Sequence, residues 1–276
     1  MTPFQMLFFA VMQGITELFP ISSLGHSVLV PAVLGWTINR DAPDFLPFVV
    51  VLHLGTATAL FIYFWRDWRE LLGGVLASRG RLANPHARLF WLLVVASIPA
   101  GLLGLLFEKK LRLLFGGYTI VAVFLVLNGV LLLIGDALKH RQASHSLEDM
   151  GWKKALFIGF AQALALFPGV SRSGATLVAG LAGALDYAAS ARFSFLLATP
   201  IIGAAGLLEV PKLFHTGGHP DLPMIFLAGG VAGVFAYAST WILMRYFKGH
   251  EIKALRPFAF YCLVAGLGAL AWHWIQ

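Results

Sequence analysis

Two apolar regions, about 4–36 and 155–185, are each broken in the middle by a proline followed by hydroxyl residues and glycine. The breaks are Phe-Pro-Ile-Ser-Ser-Leu-Gly-His (19–26) and Phe-Pro-Gly-Val-Ser-Arg-Ser-Gly (167–174). Proline removes a backbone donor and disfavours helix in the residue before it, so each region should be two half-helices meeting at a polar turn. Neither half is long enough to cross a bilayer, which takes about 20 mostly apolar residues. Six other stretches are long enough: roughly 47–65, 89–107, 117–135, 190–210, 223–244 and 258–275. The chain is 59% hydrophobic and only 12% charged, with a mean hydropathy of +0.80, too little polar surface to cover a soluble globule. Non-helical backbone at membrane depth survives only where protein or a water-filled cavity surrounds it. The expected fold is therefore all-α integral membrane, with six transmembrane helices plus two re-entrant helical hairpins, 4–36 and 155–185.

The two broken regions resemble each other. Gln13, Leu18-Phe19-Pro20, Ser22, Ser23 and Gly25 are echoed by Gln162, Leu166-Phe167-Pro168, Ser171, Ser173 and Gly174. The offset is 148 residues between Pro20 and Pro168, and 145 between Phe48 and Phe193, where each hairpin leads into a span. A shared offset argues for a duplication in one membrane domain, 1–276: repeat one about 4–135, repeat two about 155–276. Three spans separate the hairpins, so they enter from opposite faces. Such inverted-topology repeats place binding sites near the midplane. One face holds Arg66, Arg69, Arg79, Arg81, Arg88, Lys139, Arg141, Lys153, Lys154, Arg192, Arg245, Lys248, Lys253 and Arg256; the other holds Arg40, Lys109, Lys110, Arg112 and Lys212. Positive charge concentrates on the cytoplasmic side, which puts both termini outside.

A net charge of +7 does not signal nucleic acid, because the basic residues are dispersed between apolar runs instead of gathered in one stripe. Anionic head groups are their partners. Cys262 is the only cysteine, so internal disulfides and cysteine-based metal sites are excluded. No cleavable signal is expected, since no basic leader or small-residue cleavage site precedes the next apolar segment. Trp65, Trp68, Trp91, Trp272 and Trp274, near span ends, read as interfacial anchors. Ala198–Gly206 and Ala228–Ala238 are rich in small residues, suited to helix packing within the chain or against a second copy in a homodimer.

Charge at membrane depth costs on the order of 2.5–3.5 kcal/mol on insertion scales, so the polar residues of the broken regions are the candidates for function. Gln13 and Glu17 are four apart and share a helix face before the first turn; Ser22, Ser23 and His26 follow it. The second turn, Pro168 to Thr176, has the grammar of an oxyanion site. Gly169 admits close backbone approach, Ser171, Ser173 and Thr176 donate hydrogen bonds, and Arg172 offers a fork matched to phosphate. A helix starting near Ser173 would aim its free amides at the same place. Read singly, Ser22 is a packing residue or cap, Gln13 a cap or bridge, and His26 a satisfied polar contact or a catalyst. Together, Glu17, His26 and Arg172 at depth point to function. His53 and Glu209 lie in or near spans without clear assignment. His86, His140, His145, His215, His219, His250 and His273 show no metal-ligand spacing.

Gln13-x-x-x-Glu17, Pro20-Ile-Ser22-Ser23-Leu-Gly25-His26 and Pro168-Gly-Val-Ser-Arg-Ser-Gly-Ala-Thr176 resemble the undecaprenyl-diphosphate phosphatase family, bacitracin-resistance type. The similarity extends through Phe64-Trp65-Arg66, Phe193-Ser-Phe-Leu-Leu197 and Pro257-Phe-Ala. It implies hydrolysis of undecaprenyl diphosphate, an isoprenoid lipid diphosphate, at the outer face of the bacterial plasma membrane, recycling the carrier lipid for cell-wall synthesis. It also implies stimulation by a divalent cation, Mg or Ca, for which Glu17 is the candidate ligand in a scheme where His26 is the nucleophile. Glu17, Ser23, His26 and Arg172 then match the family's catalytic positions. Gln13, Ser22, Gly169, Ser171, Ser173 and Thr176 fall to substrate binding. Gln13 stands where the family can carry glutamate, which weakens a mechanism needing two carboxylates on one metal. Two schemes stay open: Ser23 attacks phosphorus with His26 or Glu17 as base, or His26 attacks. Broken helices in inverted repeats also suit a lipid flippase or secondary transporter for a phosphorylated substrate.

Overall fold

The computed structural model describes residues 1–40, 42, 44–114, 117–138, 147, 150–214, 221–249 and 253–275. Among the described residues every regular element is helical. Lys139, Arg141, His140, His145, His215, His219 and His250 lie outside them, as do the side chains of Lys109, Lys110, Arg112 and Lys212.

The first broken region is α1 (Pro3–Thr16), a turn, and α2 (Ser23–Val33). Thr2 and Gln5 close a capping box at the start of α1, with Pro3 in the first turn, where its missing N–H costs nothing. The second region is α7 (Trp152–Ala163), a 3₁₀ turn at Leu164–Leu166, and α8 (Arg172–Ala182). Both turns end in a serine cap. Ser22 Oγ accepts from the Gly25 N–H at 3.2 Å, and Ser171 Oγ accepts from the Gly174 N–H at 3.1 Å.

Among the described residues, six helices are long and apolar enough to cross a membrane: α3 (Phe45–Tyr63), α5 (Pro85–Leu114, apolar through Phe107), α6 (Tyr118–Leu138), α9 (Tyr187–Glu209), α10 (Leu222–Gly249) and α11 (Arg256–Ile275). They match the six expected stretches to within a few residues. A further helix, α4 (Trp65–Ala77), was not expected. It is too short and polar to span, and it buries Trp68 and Leu71 while Asp67 pairs with Arg192 of α9. Trp68 is therefore a core residue, unlike Trp65, Trp272 and Trp274, which are exposed.

The long helices pack in pairs: α6 on α11, α3 on α10, and α3 on α9. Each broken region reaches into the other half of the chain, α1 packing on α10 and α7 on α5. The small-residue stretches are used within the chain. A Cβ on Gly55 would collide with the Gly229 carbonyl, and one on Gly206 with Leu54, so backbone meets backbone where α3 crosses α10. That close crossing fixes α3 against the bundle, and α3 carries His53.

Candidate active site

The two turns meet in the middle of the bundle. A Cβ on Gly25 would lie 3.2 Å from Gly169 Cα, and one on Gly174 would lie 3.3 Å from Pro20 Cβ. Each helix start is thus seated on the opposite turn. Asn128, fully buried on α6, ties them: its amide donates to the Pro20 carbonyl at 2.9 Å and accepts from the Ser171 N–H at 2.9 Å. Gly169 sits at φ +111°, and a Cβ there would strike the α6 backbone at Val121, so only glycine lets the second turn lie this close. Ser22 holds φ +69° without being glycine. Strain of this kind collects at functional sites.

At the junction stands Glu17, the cap residue at the end of α1, 8% exposed. Its carboxylate gathers groups from four elements. Arg172 Nη2, at the start of α8, donates to Oε1 at 3.0 Å. Ser23 Oγ, the first residue of α2, donates to Oε2 at 2.6 Å, a short, charge-assisted bond. Gln13 Nε2, one turn back on α1, donates to Oε2 at 3.2 Å, and His53 Nε2 from α3 faces the same oxygen at 3.4 Å. Arg172 also donates from Nη1 to the Ser194 carbonyl at 3.3 Å. Burying an ion pair is tolerable only with such extra hydrogen bonds.

Gln13, Glu17, Ser23 and Arg172 therefore form one connected set, and the other expected residues surround it. Ser173 Oγ lies 3.0 Å from Ser171 Oγ and donates to the Glu17 and Phe19 carbonyls at 3.3 and 3.4 Å. Thr176 turns toward α9, donating to the Arg172 carbonyl and sharing a 2.6 Å bond with Ser194 Oγ. His26 is on α2, one turn beyond Ser23, with both ring nitrogens engaged elsewhere. Nδ1 donates to the Ser22 carbonyl at 2.7 Å; Nε2 accepts from the Tyr261 hydroxyl at 2.7 Å, the two rings lying within 10° of parallel.

The sequence assigned no role to Asn128, Tyr261 or Ser194 and left His53 undecided. Asn128 had a signal: a lone amide inside an apolar span needs a partner there. Tyr261 had none, because tyrosine in a span is ordinary. Asn128→Leu would leave the Ser171 N–H buried and unpaired, at about 1–3 kcal/mol, and the Pro20 carbonyl with only the Cys262 thiol at 3.9 Å. Thermal unfolding in detergent should show the loss.

Among the described residues no group of three His, Cys, Asp or Glu gathers that could hold a metal ion. The hard oxygens that could pair here are the Glu17 carboxylate and, once its amide turns over, the Gln13 carbonyl oxygen, since Nε2 is the atom that faces Glu17. A magnesium-like ion fits such a pair only when substrate phosphates complete its shell.

A family model described as "Bacitracin resistance protein BacA" matches residues 6–268. "Undecaprenyl-diphosphatase 2" of Chromobacterium violaceum is 63% identical over 271 residues, covering 98% of each chain. "Undecaprenyl-diphosphatase" of Granulibacter bethesdensis is 49% identical over 286 residues, covering 99% of this chain and 97% of its own. "Undecaprenyl-diphosphatase 2" of Burkholderia lata is 47% identical over 271 residues, covering 98% and 97%. Matched from end to end in this way, the chain belongs to the bacitracin resistance protein BacA family.

Proposed function

We propose that the chain hydrolyses undecaprenyl diphosphate to undecaprenyl phosphate and inorganic phosphate, and so confers bacitracin resistance. The observation that carries the mechanism is the 2.6 Å bond from Ser23 Oγ to a carboxylate whose other oxygen is held by Arg172. A serine hydroxyl bound to a base is the arrangement of an activated nucleophile. Ser23 attacks the terminal phosphorus. Its proton passes to Glu17 and then to the bridging oxygen, which leaves as part of undecaprenyl phosphate. Water next attacks the phosphoserine, giving its proton to Glu17, and Ser23 Oγ takes that proton back as phosphate departs.

Arg172, with N–H groups beyond those used on Glu17 and Ser194, neutralises charge on the equatorial phosphate oxygens. The α2 and α8 amide ends add positive dipole at the same junction. Glu17 is favoured over His26 as base, because His26 is bonded to Ser22 and Tyr261 and not to Ser23. Glu17 and the Gln13 amide oxygen would hold a divalent cation, which when bound supplies further charge neutralisation on the phosphates.

Two re-entrant hairpins in an inverted repeat would place this junction at membrane depth. The reciprocal packing of α1 on α10 and α7 on α5 supports that reading. With the arginine-rich side in the cytoplasm, the protein sits in the bacterial plasma membrane with its site open to the outer face. The test is phosphate release from undecaprenyl diphosphate by purified protein in detergent, with magnesium or calcium present. Because no gradient exists there, release marks hydrolysis instead of transport. Release no faster than that of a Glu17→Ala, Ser23→Ala double variant would end the proposal.

A further inference from the structure

Serine attack removes one of the bonds that hold Glu17. In the resting site, Oε2 accepts from Ser23 and Gln13 and faces His53. Once Ser23 Oγ is joined to phosphorus it has no hydrogen to donate. Glu17 must nevertheless keep its orientation, because the same carboxylate takes the proton from the water that attacks the phosphoserine. A carboxylate rotates easily about its last torsion, so what keeps Oε2 in place during this second half matters.

His53 is built for that task. Its Nδ1 donates to the Val49 carbonyl one turn back at 2.8 Å, which fixes the ring. Its helix is fixed in turn by the glycine crossing of Gly55 on Gly229. With Nδ1 spent on that carbonyl, Nε2 holds Oε2 only as an N–H, so the ring acts as the imidazolium, and it does so from an element that carries no reacting atom. Gln13, by contrast, stands on α1 with Glu17 itself and shifts when that helix end shifts.

We propose that His53 is a positioning residue that holds the Glu17 carboxylate in place while the phosphoserine is hydrolysed. The proposal rests on the serine mechanism above. No new covalent step is added: water's proton goes to Glu17, its hydroxyl to phosphorus, and the P–Oγ electron pair to Ser23, which regains the proton.

The experiment is rapid acid quench with undecaprenyl diphosphate labelled at the terminal phosphate, alongside steady-state phosphate release. His53→Leu should build up labelled phosphoserine and lower kcat on the order of 10- to 100-fold, the usual scale for a misplaced catalytic group, with KM falling alongside it and kcat/KM little changed. His53→Asn keeps a polar group near Val49 but is too short to reach Glu17, and should behave like His53→Leu if the leucine variant does not fold. His53→Gln, long enough to donate to Oε2, should restore kcat to within about threefold, since one hydrogen bond is exchanged for another. A structural role would lower the melting temperature without making phosphoserine accumulate. Normal turnover in folded His53→Leu or His53→Asn overturns the proposal, as does slow turnover without phosphoserine, or a glutamine variant as impaired as leucine. Failure of the serine mechanism is separate: it would appear as wild-type protein forming no phosphoserine and Ser23→Ala retaining activity.

Discussion

Ser23→Ala is expected to lower phosphate release by a factor on the order of 10⁴–10⁶, the scale on which loss of a nucleophile is felt in hydrolases that work through a covalent intermediate. The stability cost should be modest, about 1.5–3 kcal/mol, because one hydrogen bond to a charged group is lost while Arg172, Gln13 and His53 stay around Glu17. A large loss of rate in a protein that still folds and melts cooperatively is therefore the expected signature. Labelled substrate and acid quench should find phosphate on Ser23 in the wild type. Phosphate on His26 together with an active Ser23→Ala variant would transfer the attack to His26, whose Nε2 would first have to part from the Tyr261 hydroxyl.

Arg172 is expected to show the opposite balance, a loss of both rate and stability. Arg172→Met removes the group that answers phosphate charge, and loss of such an arginine in phosphoryl transfer costs about 10³-fold or more in kcat. It also strands Glu17, 8% exposed, without its guanidinium partner. Breaking a buried ion pair from one side costs about 3–5 kcal/mol, whereas removing both charges is often close to neutral. Arg172→Met combined with Glu17→Gln should therefore regain most of the lost melting temperature while remaining inactive. Arg172→Lys should recover part of the stability but little of the rate, because an ammonium cannot span Glu17, the Ser194 carbonyl and a phosphate as the planar fork does. Additive stability losses in the double variant would mean that the Arg172–Glu17 contact is not the coupling that holds the turns together.

Some of this was legible along the chain for one reason: in a membrane, length, proline and charge are each constrained by a large free energy. Six apolar runs became six long helices, and Pro20 and Pro168 marked the ends of half-helices, because an unpaired backbone group in lipid is costly. Gln13, Glu17, Ser23 and Arg172 stand out as candidates because polar groups inside such apolar stretches are rare. The α4 helix is hard to read from the sequence because Arg66, Asp67, Arg69 and Glu70 crowd its first turns, while Trp68 and Leu71 bury only one narrow stripe.

What the sequence determined by itself was the inventory: helices of spanning length, two turns, and the polar groups on each. Tertiary structure decided which of those groups touch. Nothing local relates Arg172 to Glu17, 155 residues apart, or Tyr261 to His26, 235 apart. The first pairing follows from glycine contacts that let the two turns interlock and from Asn128 binding both at once. His26, three residues from Ser23, went to Tyr261 instead, because the α2 helix turns its ring toward α11 and the Ser22 carbonyl fixes it there. Spacing along a chain places side chains on one face of a helix, but only the packing of the other helices supplies what that face meets.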